Sequence, residues 1–203
     1  LFNQEYMAQI VSGEGMVFRN VVSCATSTWL SAPERGRQYT AGVDVADAND
    51  YTVVTVMDVE AKREVYKDRF RRVGYEVLED RLTAVYHKFG MTSMTIEDNS
   101  IGAPVIDHLR GRGLNIITFH TSGSTKTPLI QALQSAFEHE EVCILADDVT
   151  INELSAYEAK KTASGYSYSA PSGMHDDTVM SLAIAWNAIS IGGDLESSPS
   201  PLY

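Results

Sequence analysis

Residues 39–72, YTAGVDVADANDYTVVTVMDVEAKREVYKDRFRR, decide the architecture. Three runs rich in β-branched and aromatic residues, YTAGVDVAD, YTVVTVMDVE and REVYKDRFRR, are separated by Asp47–Asp50 and by Glu60–Lys62. Such runs with short polar interruptions predict three consecutive antiparallel strands. Within the first, Asp44 stands between Val43 and Val45. Successive side chains on a strand alternate faces, so the valines turn one way and the carboxylate the other. A buried carboxylate there is costly unless it is paired or bound to a cation.

Downstream, Gly74–Phe89 carries Val77, Leu82, Val85 and Phe89 at helical spacing, and MTSMTIED reads as a short buried strand ended by Asn99, Ser100 and Gly102. Pro104 fits the first turn of a helix that stops near Gly111–Gly113, and LNIITFHT reads as another buried strand. A helix over Thr125–His139, a short strand at VCIL, and a helix over Thr150–Lys161 capped by Thr150 or Asn152 follow. Gly165–Gly173 reads as a hairpin or ordered loop. Asp176–Ile191 is apolar on nearly every side, which predicts a buried helix. The fold class expected is α/β, with a mixed central sheet of three antiparallel strands continued by parallel strands and flanked by helices. The boundaries expected are a lead-in at 1–38, with an amphipathic start at Phe2, Tyr6, Met7 and Ile10, a domain at 39–192, and a disordered tail at 193–203.

The chain has 203 residues, 44% of them hydrophobic and 21% charged, which suits one soluble domain. No run approaches the ~18 apolar residues of a membrane helix, and LFNQEYMAQI lacks a signal-peptide pattern, so no membrane partner is expected and the protein is read as intracellular. Cys24 and Cys143 have neither Cys-x-x-Cys spacing nor a histidine pair nearby, and are expected as small buried residues. A net charge of -11 argues against holding nucleic acid by bulk electrostatics, so any such role needs local basic patches and bound metal.

The acids that end apolar runs are the chemical signal. Glu97 and Asp98 close a strand where the chain turns into a helix, the place where open α/β sheets gather ligands. Asp98 also suits a turn or cap, whereas Glu97 is poor turn chemistry. Asp176 and Asp177 open the buried helix, where free N–H groups favour carboxylates; Asp176 suits an N-cap and Asp177 an inward ligand. His175 is expected to support the ligands rather than bind. Asp47 and Asp50 lie in the loop after the first strand, with Asp50 as an outer ligand and Asp47 a solvated turn residue. Oxygen donors with no Cys suit Mg²⁺ or Mn²⁺ rather than zinc, and paired hard cations imply phosphoryl transfer.

This order of strands and acids resembles that of ribonuclease-H-like nucleases. More narrowly, FNQEYMAQIVSGEGMVF, GVDVADANDYT, TIEDNSIG and GMHDDTVMSLAIAW resemble the nuclease domain of bacteriophage terminase large subunits across nearly all of residues 1–192. The resemblance implies a metal-dependent endonuclease that cuts concatemeric double-stranded viral DNA during genome packaging. It implies catalysis and metal binding by Asp44, Glu97 and Asp177, with Asp176 and Asp50 as accessory ligands and two ions when DNA is bound. It also implies an upstream ATPase domain, a portal and a small terminase subunit as partners, and the host cell cytoplasm as the setting. No GxxxxGK[ST] motif occurs, so this stretch is expected to cut DNA but not to translocate it.

Arg69, Arg71 and Arg72 after the third strand, Arg110 and Arg112 after a helix, Lys126, and Lys160 with Lys161 form the expected DNA track, with Lys126, Arg72, Lys160 and Lys161 expected to bind the DNA. A junction-resolving or RNA-hybrid-cleaving nuclease of the same fold, and a non-catalytic docking module of a packaging assembly, are the alternatives, because carboxylates alone do not encode substrate.

Overall fold

The computed structural model describes residues 15–45, 50–98, 102–162 and 165–195. Strands β1 (Tyr39–Asp44), β2 (Thr52–Asp58) and β3 (Arg63–Phe70) form the antiparallel meander, and β4 (Ser93–Glu97) and β5 (Ile116–Phe119) extend the sheet in parallel from the other side of β1. The order across the sheet is β3-β2-β1-β4-β5. Helix α1 (Val21–Cys24) precedes it, α2 (Tyr75–Phe89) and α3 (Gly102–Gly111) connect β3, β4 and β5, and α4 (Gly123–Glu138), α5 (Asp148–Ala156) and α6 (Asp177–Leu195) follow. Strands β6 (Glu158–Thr162) and β7 (Gly165–Ser169) pair as a separate hairpin. No described helix is long and apolar enough to cross a membrane.

Each face of the sheet carries its own core. Tyr39, Ala41, Val43 and Val45 of the first strand region, with Met94 and Ile96 of β4, pack with Leu82, Phe89, Val105 and Leu109 of α2 and α3. The alternate residues face α6, which buries Val179, Leu182, Ala183, Ile184 and Ala185 completely. Full burial of one such side chain contributes about 1.5–3 kcal/mol relative to exposure. Gly42 lets this helix lie directly on β1: a Cβ there would stand 2.3 Å from Ala185 N and from Ser181 O. Thr55 of β2 meets Ser181 across the same contact at 2.8 Å. Small residues on both surfaces therefore set how far α6 sits from the sheet.

That closeness places the acids. Asp44 pairs with Val53, and Val53 with Arg69, so the three occupy one row across β1, β2 and β3. The parallel register of Val43 with Ile96 brings Glu97 next to Asp44 on the α6 face. Asp177, first residue of α6, arrives above that row.

Several local expectations change. VCIL forms no strand: Cys143 and Leu145 make single bridges to Arg63 and Ser27. The helix expected over Thr150–Lys161 begins at Asp148, is capped by Asp147, and ends at Ala156. Tyr157 turns extended with φ -66 and ψ 131, and Glu158–Thr162 leaves as β6 because β7 supplies its ladder. Lys160 and Lys161 are thus on a strand rather than a helix. The helix expected from Thr125 starts at Gly123, where Ser122 and Thr125 form a reciprocal capping box.

Residues 15–38 pack on the domain. Val17, Phe18, Val21 and Cys24 are buried, Phe18 against Phe137 and Tyr157, and the Leu30 amide donates to Val65 O of β3 at 2.8 Å. The outer edge of β3 is further occupied by Cys143, which accepts from the Glu64 amide at 2.8 Å and donates to Lys62 O at 3.1 Å. Both cysteines are free, Cys24 buried and Cys143 partly exposed. Gly193–Leu195, expected in the tail, close α6. The remaining tail, the amphipathic start and Asp47 lie outside the described residues.

Candidate metal centre

The acids expected to converge do so at the carboxyl ends of β1 and β4, beneath the start of α6. Asp44 shares a hydrogen bond with Glu97, and its carboxyl is held well above the usual carboxylate range. Burial is the main cause, followed by that bond and by the negative charges of Glu97, Asp177 and Asp176. Asp177, buried at 6% exposure, is pushed up to about 7, first by burial and then by Asp50 and Glu153, with His175 opposing. Its Oδ2 is buried without a hydrogen-bond partner.

Asp50, His175 and Asp177 form the tightest group, each offering a donor atom within 4.8 Å of the others. His175 Nδ1 lies 2.7 Å from Asp50 Oδ1 and 3.7 Å from Asp177 Oδ2. Asp50 therefore stands beside Asp177 although the sequence suggested only an outer place for it. His175, expected in a supporting role, reaches the carboxylates directly. Asp176 is turned toward Lys126, whose Nζ is 3.3 Å from Asp176 Oδ2. Asp98 accepts no part in this cluster: strand alternation points it to the other face, where its carboxylate meets His120 Nδ1 at 2.8 Å.

Neighbouring groups missed in the sequence complete the surroundings. Glu153 of α5 accepts from the Thr178 amide at 2.9 Å and from its hydroxyl at 2.5 Å, so it caps α6 from another element. Tyr157 is fully buried, and burial with the charges of Asp176 and Asp44 holds its phenol above the ordinary range. A cap donated from 25 positions upstream has no local signature, whereas the His-Asp-Asp run itself signalled a group at residue 175.

Several carboxylates crowded together, two of them driven toward protonation and one with an orphaned oxygen, make an environment short of positive charge. The donors are oxygens plus one imidazole, which suits a hard divalent cation. These residues fit such an ion: Asp177 Oδ2 gains a partner, and the repulsion between Asp44, Glu97 and Asp177 is offset.

The basic residues are less concentrated. Lys126 reaches the acids through Asp176, its Nζ 5.9 Å from the centre of the Tyr157 ring. Lys160 pairs with Glu158 at 3.4 Å, Lys161 is exposed on β6, and Arg72 is exposed after β3 in a left-handed conformation with φ 57. Among the described residues, Lys160, Lys161 and Arg72 are not brought into the acid cluster.

A family model described as the terminase RNaseH-like domain matches residues 41–188. The terminase large subunit of Thermus virus P23-45 is 28% identical over 199 residues, covering 92% of this chain and 40% of its own length. The chain thus spans 40% of the curated relative it matches. The large terminase nuclease of thermophilic phage G20c, solved with bound magnesium and with bound cobalt, superposes with TM-score 0.79 at 24% identity, over 87% of this chain and 98% of that one. The Thermus phage P74-26 large terminase nuclease domain superposes with TM-score 0.67 at 26% identity, over 83% and 94%.

Proposed function

The chain belongs to the terminase RNaseH-like domain family, and from that membership we propose that it is a divalent-metal-dependent endonuclease that cleaves concatemeric double-stranded viral DNA during genome packaging. The observation that carries this reading is the meeting of Asp44, Glu97 and Asp177 from three elements on one face of the sheet, with Asp177 Oδ2 buried and unpartnered. Asp44, Glu97 and Asp177 would hold Mg²⁺ or Mn²⁺, with Asp176 and Asp50 as further ligands, and a bound pair of such ions would supply polarisation of the scissile phosphodiester and acidification of the attacking water.

The chain's own residues do the rest. His175 orients Asp50 through their 2.7 Å contact. Glu153 fixes the first turn of α6 and so the height of Asp177 above β1. Lys126 screens Asp176 and can exchange that carboxylate for a backbone phosphate, while Arg72, Lys160 and Lys161 contact phosphates farther along the duplex. An upstream ATPase domain, a portal and a small terminase subunit are the partners proposed, in the host cytoplasm, on the strength of the family membership.

Supercoiled plasmid incubated with the purified protein in Mn²⁺ should be nicked and linearised, and Asp44→Asn or Asp177→Asn should slow this by more than about 100-fold. Equal nicking by wild type and both variants would overturn the reading. Faster cutting of a four-way junction or an RNA–DNA hybrid than of linear duplex would reassign the substrate. Metal-dependent stabilisation without any cleavage would favour a docking module.

A further inference from the structure

The Asp50, His175 and Asp177 group is enclosed by a closed circuit of contacts. Arg69 of β3 lays its guanidinium carbon 3.4 Å from the centre of the Tyr51 ring. Tyr51 meets His175 edge-on, with ring centres 5.6 Å apart at 89°. His175 holds Asp50 and approaches Asp177. Thr178, next in chain, donates to Glu153 Oε2, and Glu153 Oε1 stands 3.7 Å from Arg69 Nη2. The circuit returns to its origin through two rigid elements, β3 and α5.

Asp50 and His175 are both exposed, at 54% and 46% of the side chain, so burial does not fix them. Holding exposed side chains in one rotamer costs conformational entropy, and metal ligands need placement to within about 0.5 Å. Arg69 is the penultimate residue of β3, where it pairs with Val53 of β2, and its guanidinium also approaches Glu153. Arg71 lies 5.0 Å from the same ring, adding a second cation to the stack.

We propose that Arg69 and Tyr51 are positioning residues, a cation–aromatic brace that transfers the rigidity of β3 to His175 and, through it, to the exposed ligand Asp50. The brace rests on the metal-site reading above. It acts through the ring face, so the phenolic hydroxyl is dispensable and the planar guanidinium is not.

Titration calorimetry with Mn²⁺ tests it, using wild type, Tyr51→Phe, Tyr51→Leu and Arg69→Lys, with melting curves in EDTA to establish folding. Tyr51→Phe should bind as wild type does. Tyr51→Leu and Arg69→Lys should weaken binding about tenfold, the range for groups that orient metal ligands. Plasmid nicking by those two should need correspondingly more Mn²⁺ yet approach the wild-type rate at saturation, a split that general damage to the fold does not produce. If Tyr51→Leu does not fold, Arg69→Lys alone decides. Wild-type Mn²⁺ affinity in the folded variants sinks the brace while leaving the metal site standing, as does a rate loss that no Mn²⁺ concentration restores. Absence of Mn²⁺ binding by wild type sinks the metal-site reading and the brace with it.

Discussion

Asp177 sets how the cation-free protein responds to pH. Its folded-state pKa of about 7 lies well above the ~3.9 of an unfolded aspartate, and Asp44 is displaced in the same direction. Between those values the folded chain binds more protons than the unfolded one, so stability falls as pH rises from about 4 to about 7 and then levels. Melting in EDTA across that range should show the decline, and Asp177→Asn should flatten part of it. Added Mn²⁺ should raise the wild-type melting temperature more at pH 8 than at pH 6. Asp147 runs the opposite way. Burial would raise it, but the Thr150 hydroxyl, Lys67 and two backbone amides outweigh burial and lower it. Its contribution is present above the unfolded pKa and is lost as acid titrates it through the folded one. Asp147→Ala should cost about 1 kcal/mol at pH 7, as for other N-caps, with the deficit disappearing in acid.

Among the elements, α6 on β1 is the contact on which the site depends. Gly42→Ala drives a methyl into main-chain atoms of Ser181 and Ala185, so the helix itself must retreat. The expected cost is about 1–3 kcal/mol. That corresponds to a melting temperature lower by about 2–4 °C for each kcal/mol. Retreat also lifts Asp177 from Asp44, so calorimetry should find weaker Mn²⁺ binding than in wild type. The buried helix was readable from its unbroken apolar pattern, and the meander from Tyr39 to Arg72 from alternation and turns. The end of α5 was not. Glu158–Lys161 carries good helix formers, and only pairing with Gly165–Ser169 makes it a strand. The acids were readable because charge ends an apolar run. The contact of His175 with Asp50 joins two loops 125 positions apart, which no local pattern encodes.

Taken as a whole the molecule carries a net charge of -11, so without added cations its acid cluster should repel a DNA backbone. Anisotropy with a labelled duplex should show weak binding that strengthens with Ca²⁺ or Mg²⁺ and weakens with salt. Lys126→Ala should reduce the steepness of the log–log salt dependence by about one, the signature of one lost phosphate contact. Both sheet margins also bear on how the protein behaves at high concentration. The outer margin of β3 is occupied by Leu30 and Cys143 through main-chain hydrogen bonds, and β5 is only 4 residues long. Neither margin presents a long row of vacant amides for another copy to join. A chain shortened to begin at Tyr39 would uncover Val65 together with the surface that Phe18 and Val21 fill. Such a truncation should make the domain self-associate by strand addition, seen as turbidity that grows with protein concentration.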